Sequence, residues 1–95
     1  MTVAVLGKFQ KQPGEILDYD VDFTDWFSNR TDAPASVAAF CDAGITLVSM
    51  TRTGFVVKLI ISGGTDGTKY HATVRMTTTA GLIKEADFTL TIKEV

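Results

Sequence analysis

The sequence predicts an all-β fold, an antiparallel sandwich of about seven strands. Three observations carry that expectation. Apolar and polar residues alternate with period two over Leu17–Phe23, Tyr70–Thr77 and Glu85–Ile92, the spacing of a strand with one dry face and one wet face. Turn signals built from Gly, Pro, Asn and Asp recur roughly every ten residues, which suits short strands joined tightly rather than an α/β alternation. Thr, Val, Ile and Phe are plentiful, while helix formers are scarce outside one short stretch.

Along the chain, residues 1–14 read as an N-terminal arm, with a short β-like piece and a turn at Pro13-Gly14. Residues 15–95 read as one domain. Its first strand has Leu17, Tyr19, Val21 and Phe23 inward and Asp18, Asp20 and Asp22 outward. "SNRTDAPA" reads as a loop. Ser36–Cys41 suits either a strand or a single helical turn; the strand is preferred, because "DAG" follows as a turn and "ITLVSM" then reads as a strand. Thr53-Gly54 is the next turn. Phe55–Ser62 is apolar except for Lys58 and its terminal serine, as in a central strand buried on both faces for part of its length. "GGTDG" (63–67) is a hairpin signal. Tyr70, Ala72, Val74 and Met76 then point inward, with His71, Thr73, Arg75 and Thr77 outward. "AGLI" turns the chain once more. The last strand sends Ala86, Phe88, Leu90 and Ile92 inward.

Composition narrows the function classes. A chain of 95 residues is one domain, and its core is thin. With 45% hydrophobic and 21% charged residues it is globular rather than disordered. A net charge of −2 argues against nucleic acid as a partner, since phosphate binding calls for a basic stripe. The charge is uneven: Glu15, Asp18, Asp20, Asp22, Asp25 and Asp32 surround the lone base Arg30, whereas most lysines and arginines lie in the second half. Such asymmetry favours ordered self-association or a charged partner, with plain solubility as the alternative. Cys41 is the one cysteine, which rules out an intrachain disulfide and fits a chain made in a reducing cytoplasm. The apolar run Val3–Leu6 is too short for a membrane span or a signal peptide and no basic residue precedes it. Asn29-Arg30-Thr31 matches a glycosylation acceptor pattern, but without a secretion signal it carries no weight.

Four places in the chain carry residues suited to chemistry. The aspartates of Asp18–Asp22 meet the first, third and fifth positions of an EF-hand loop, but Phe23 occupies the sixth, where a glycine must turn, and Asn29 the twelfth, where a glutamate must chelate. A weak surface calcium site from the three carboxylates remains an alternative to a wet strand face. Paired carboxylates for glycoside hydrolysis sit about 5–10 Å apart, and same-face strand neighbours at about 7 Å permit that; the apolar pocket that would raise one pKa is missing. His71 and Cys41 are expected as a surface histidine and a buried thiol rather than a base and a nucleophile. "ISGGTDGTK" lacks the Gly-Lys-Ser/Thr ending of a phosphate loop, and one Cys with one His is a poor zinc set. No cofactor motif is present. Trp26 and Phe27 are expected in the core, plugging one end; exposed, they would be a binding anchor.

The string "KQPGEILDYDVDFTDWF" resembles the opening of the phage fiber-tail adaptor family, matched here by Lys11, Pro13, Glu15, Asp18, Tyr19, Asp22, Phe23 and Trp26. A second block of that pattern is matched by Gly44, Ile45 and Thr46. A third is matched by Ser62, Gly63, Gly64, Gly67, Tyr70, Thr77, Thr78, Ala80 and Gly81. Phe40 is the nearest equivalent of a tryptophan that the family often carries before its second block. The resemblance implies an immunoglobulin-like sandwich without catalysis or cofactor, acting as a structural part of a bacteriophage virion that joins fibers or other appendages to the tail or neck. It also implies other virion proteins as partners, several copies in the particle, and synthesis in the host bacterial cytoplasm. Lys11, Pro13, Asp18, Tyr19, Asp22 and Trp26 would then serve structure or an interface. The alternatives are a decoration module on the capsid or another virion surface, and a module that binds carbohydrate on the host surface.

Overall fold

The computed structural model describes residues 8–94. Residues 1–7, the first half of the segment expected as an arm, lie outside that range, as does Val95. Among the described residues there are seven strands: β1 (Lys8–Lys11), β2 (Leu17–Asp22), β3 (Pro34–Cys41), β4 (Ile45–Thr53), β5 (Val56–Gly63), β6 (Lys69–Thr78) and β7 (Ile83–Ile92), with one helical turn, α1 (Thr24–Phe27), between β2 and β3. They form a four-stranded sheet in the order β1-β7-β6-β3 and a three-stranded sheet in the order β2-β5-β4. All neighbours are antiparallel except β1, which runs parallel to β7 with Lys8 opposite Thr89 and Lys11 opposite Ile92. The fold is an all-β sandwich, as the alternation predicts.

The predicted inward sets close the core. Tyr19, Val21 and Phe23 face Tyr70, Ala72, Val74 and Met76, along with Ala86, Phe88, Leu90 and Ile92, and all are buried. β5 is the central strand of its sheet. Val57, Leu59 and Ile61 are sealed, while Val56 and Ile60 on its other face are only half-buried. Each large side chain sealed in this way stabilises the fold by about 1.5–3 kcal/mol. Burial is lopsided. No residue of β3 is fully buried, and in β4 only Ile45 is. The core therefore lies between β2–β5 and β6–β7 and thins toward the β3–β4 side.

One connection differs from its expectation. Gly63–Gly67 does not make a hairpin; it carries the chain from β5 in one sheet to β6 in the other. The glycines serve a close approach between layers. A Cβ on Gly64, at φ +108°, would lie 2.5 Å from Ile92 Cγ1. The Thr65 amide donates to Tyr70 Oη at 3.1 Å, fixing the corner. The true hairpins are β4–β5, around Gly54, and β6–β7, around Gly81.

Candidate assembly surface

The residues of the opening motif are held into the fold one by one. Lys11 is 1% exposed. Its ammonium donates to Gln12 O and Gly63 O, each at 2.7 Å, and lies 3.5 Å from Pro13 O. A buried cation needs such acceptors, because the surroundings have lost their water. Burial pulls the amine below the ordinary lysine value, with Glu15 opposing. Glu15 accepts the Gln12 amide at 2.8 Å and donates its own to Gln12 O at 3.1 Å, closing the Pro13-Gly14 turn. Tyr19 packs with Phe9 and Phe88, ring centroids 4.9 and 5.5 Å away, and Phe9 lies 5.5 Å from Phe88. This aromatic trio closes the β1–β2 side between the sheets. Burial pushes the Tyr19 hydroxyl up to about 12, aided by Glu15 and Asp18.

The acidic strand does not gather its carboxylates. Asp18 pairs with Lys58 at 3.4 Å across the strands. Asp22 turns back to accept the Thr24 amide at 2.9 Å and the Thr24 hydroxyl, starting α1. Asp20 stands exposed opposite Lys58 in the register. Among the described residues, no three His, Cys, Asp or Glu side chains are placed to share a metal ion. Trp26 and Phe27 are both buried, as expected, on α1 rather than at a strand end. Phe27 stacks on Phe55 at 4.8 Å, and the Arg30 guanidinium lies 4.3 Å over the Trp26 ring. Neither aromatic is free to anchor a sugar ring.

His71 lies outward on β6, as expected, and its partner is Asp42. Asp42 Oδ2 accepts the His71 amide at 2.8 Å and lies 3.2 Å from its Nδ1. The Cys41 thiol is half-buried, not buried as expected, because β3 is an edge strand with a partner on one side only. Burial and then Asp42 push the thiol up, away from a nucleophilic thiolate. A depression of about 110 Å³ lined by Gln10, Lys11, Gln12, Glu15 and Lys93 falls well below a typical small-molecule site of roughly 300–1,000 Å³.

At the opposite end, Asp32 joins two loops. Its Oδ1 accepts the Thr79 hydroxyl at 2.7 Å, the Ala33 amide at 2.8 Å and the Ala80 amide at 3.2 Å. The hydroxyls of Thr78 and Thr79 beside it, with the amides of Ala33 and Ala80, hold its carboxyl down at about 2. The β6–β7 hairpin is thereby tied to the start of β3, and it presents Leu82 and Ile83, 45% and 62% exposed.

What remains open is the set of strand edges. β2 is lined with three aspartates, a device that discourages unwanted strand pairing. On the other side, β3 and β4 run nearly uncharged. Between residues 33 and 51 the one charged side chain is Asp42, in the turn. β4 is broken by a bulge at Val48, itself 53% exposed, and β3 has an irregularity only at its start, between Pro34 and Ser36. Phe40 on β3 is 49% exposed, with the Arg75 guanidinium 5.0 Å over its ring. The sequence signal of this side is the long stretch without charge rather than any periodicity.

The described residues thus offer edges and loop ends for assembly, with one small open depression beside Lys11. A family model described as Gp77, podophage GP4 fiber-tail adaptor protein gp77, matches residues 11–91. No curated protein matches the chain. The match begins at the buried Lys11 and ends in β7, one residue short of Ile92, so it spans the whole sandwich except most of β1: this chain belongs to the podophage fiber-tail adaptor family.

Proposed function

We propose that the chain is a non-enzymatic structural adaptor of the virion, present in several copies, that links fibers or other appendages to the tail or neck. The family match over residues 11–91 carries this reading. The surface supports it: the described residues offer a small open depression, dispersed carboxylates and a thiol held in its neutral form, alongside strand edges suited to joining chains. Copies would follow the symmetry of the particle, after synthesis in the host cytoplasm.

We read the sandwich as immunoglobulin-like. The orders β2-β5-β4 and β7-β6-β3 correspond to strands B-E-D and G-F-C of that fold. Tyr70, near the start of β6 with its hydroxyl bonded back to the Thr65 amide, corresponds to the tyrosine corner. In this reading Lys11, Pro13, Asp18, Tyr19, Asp22 and Trp26 maintain the fold, and contacts with other proteins fall elsewhere. Mass spectrometry of purified particles tests the adaptor role, with density for the sandwich expected at the tail in an image reconstruction. Particles that are complete and infectious without the chain would overturn it.

A further inference from the structure

We propose that the β3 edge joins this chain to a second copy of itself, antiparallel, across a two-fold axis at Ala38. The inference takes its place in the particle from the adaptor reading and names one partner of that adaptor.

The phase of the β3 backbone is fixed by its end. The Asp42 amide donates to His71 O at 3.0 Å. In an antiparallel ladder such pairs alternate, so even-numbered residues of β3 turn their N–H and C=O groups toward β6. Val37, Ala39 and Cys41 turn theirs to the open edge. Those groups are what a neighbouring strand would pair with. Pro34 and the irregularity before Ser36 blunt the start of the edge, leaving Ser36–Cys41 regular and uncharged.

The occupant follows from charge and shape. An edge without charge does not select an acidic or basic strand. A second β3 is neutral and matches in size. With the axis at Ala38, the edge-facing residues Val37 and Ala39 of one copy pair with Ala39 and Val37 of the other. On the outer face Phe40 lies opposite Ser36, and Ala38 lies opposite Ala38. Every large side chain meets a small one. The two four-stranded sheets become one continuous sheet, and the half-buried Val37, Ala39 and Cys41 lose their remaining solvent. A single strand pair is smaller than a standard interface of roughly 800 Å² per partner. The contact is therefore weak for free chains and gains strength where the particle holds two copies side by side.

Ala38 opposite Ala38 is a non-hydrogen-bonded pair with Cα atoms about 4.5 Å apart, within the reach of a disulfide. The test uses Ala38→Cys in a Cys41→Ser background, in full chains at high concentration and in assembled particles. A disulfide-linked dimer on a non-reducing gel is expected as the main band. Sedimentation of the purified chain should show concentration-dependent dimers, weakened at least tenfold by Ala38→Lys or by Ala38→Glu, each with an unchanged circular-dichroism spectrum. Mixing the two charged variants should restore them. Absence of the cross-link in particles that contain the chain overturns the proposal and leaves the adaptor role standing, as does a cross-link to a different protein. Particles that never contain the chain overturn the adaptor role instead, and the cross-link is then decided by the purified chain.

Discussion

The two sides of the sandwich are built differently. On the β1–β2 side, Phe9, Tyr19 and Phe88 close the gap between the sheets and Lys11 is sunk among carbonyl oxygens. The edge of β2 carries three aspartates. On the β3–β4 side no residue of β3 is buried, the strands are almost free of charge, and Phe40 and Val48 face solvent. Stability is concentrated on one side, while the groups that invite a neighbour are concentrated on the other. A chain this small has little core to divide. Leaving one side under-covered is consistent with a part that is completed by assembly.

The sharpest test of this contrast pairs two phenylalanines. Phe88→Ala removes a ring that is 2% exposed and should lower stability by about 3–5 kcal/mol in denaturant unfolding. Phe40→Ala should cost only about 1 kcal/mol, because the ring is half in water already. Equal losses would mean that the β3 side is as well packed as the β2 side.

A smaller effect is expected at Lys11. Lys11→Met keeps the buried stem and deletes the donor to Gln12 O and Gly63 O, for a loss of about 1–3 kcal/mol. A neutral outcome would show that water replaces the ammonium.

Asp32 adds a dependence on pH. Its carboxyl is held at about 2, below its value in an unfolded chain, so the stability it lends is complete above the ordinary carboxylate range. That stability fades as the pH falls toward 2. Thermal melts from pH 6 down to 2 should show that fading in the parent and less of it in Asp32→Asn. Parallel curves would remove Asp32 as the cause.

The smallest change belongs to the acidic edge. Asp18→Asn breaks a pair with Lys58 in which both side chains are about half exposed, and it should cost less than about 0.5 kcal/mol. Replacing Asp18 and Asp20 together with Asn should raise light scattering on storage, since the β2 edge loses its charge. Unchanged scattering would show that the aspartates do not guard that edge.

The strands that bury one face were legible because burial imposes the alternation. Tyr19, Val21, Tyr70–Met76 and Ala86–Ile92 all fall as their spacing predicts. β1 was harder to read: in "KFQK" the buried residue is a lysine, and what favours its burial are carbonyls from Gln12 and, far along the chain, Gly63. The crossover at Gly63–Gly67 carries the same residues as a hairpin, and only the sheet order separates the two. The candidate surface was the least legible part. An edge is defined by a missing neighbour, and a missing neighbour leaves no period in the sequence.

Among the described residues one strand pair is parallel, and it has a mechanical consequence. β1 and β7 lie side by side and point the same way, with Lys8 beside Thr89 and Lys11 beside Ile92. Tension applied through the chain before Lys8 and after Ile92 would drag the two strands in opposite directions along their length. Their hydrogen bonds would then share the load at once rather than open one at a time. Single-molecule extension should find a higher rupture force for that geometry than for a pull applied across the β6–β7 hairpin.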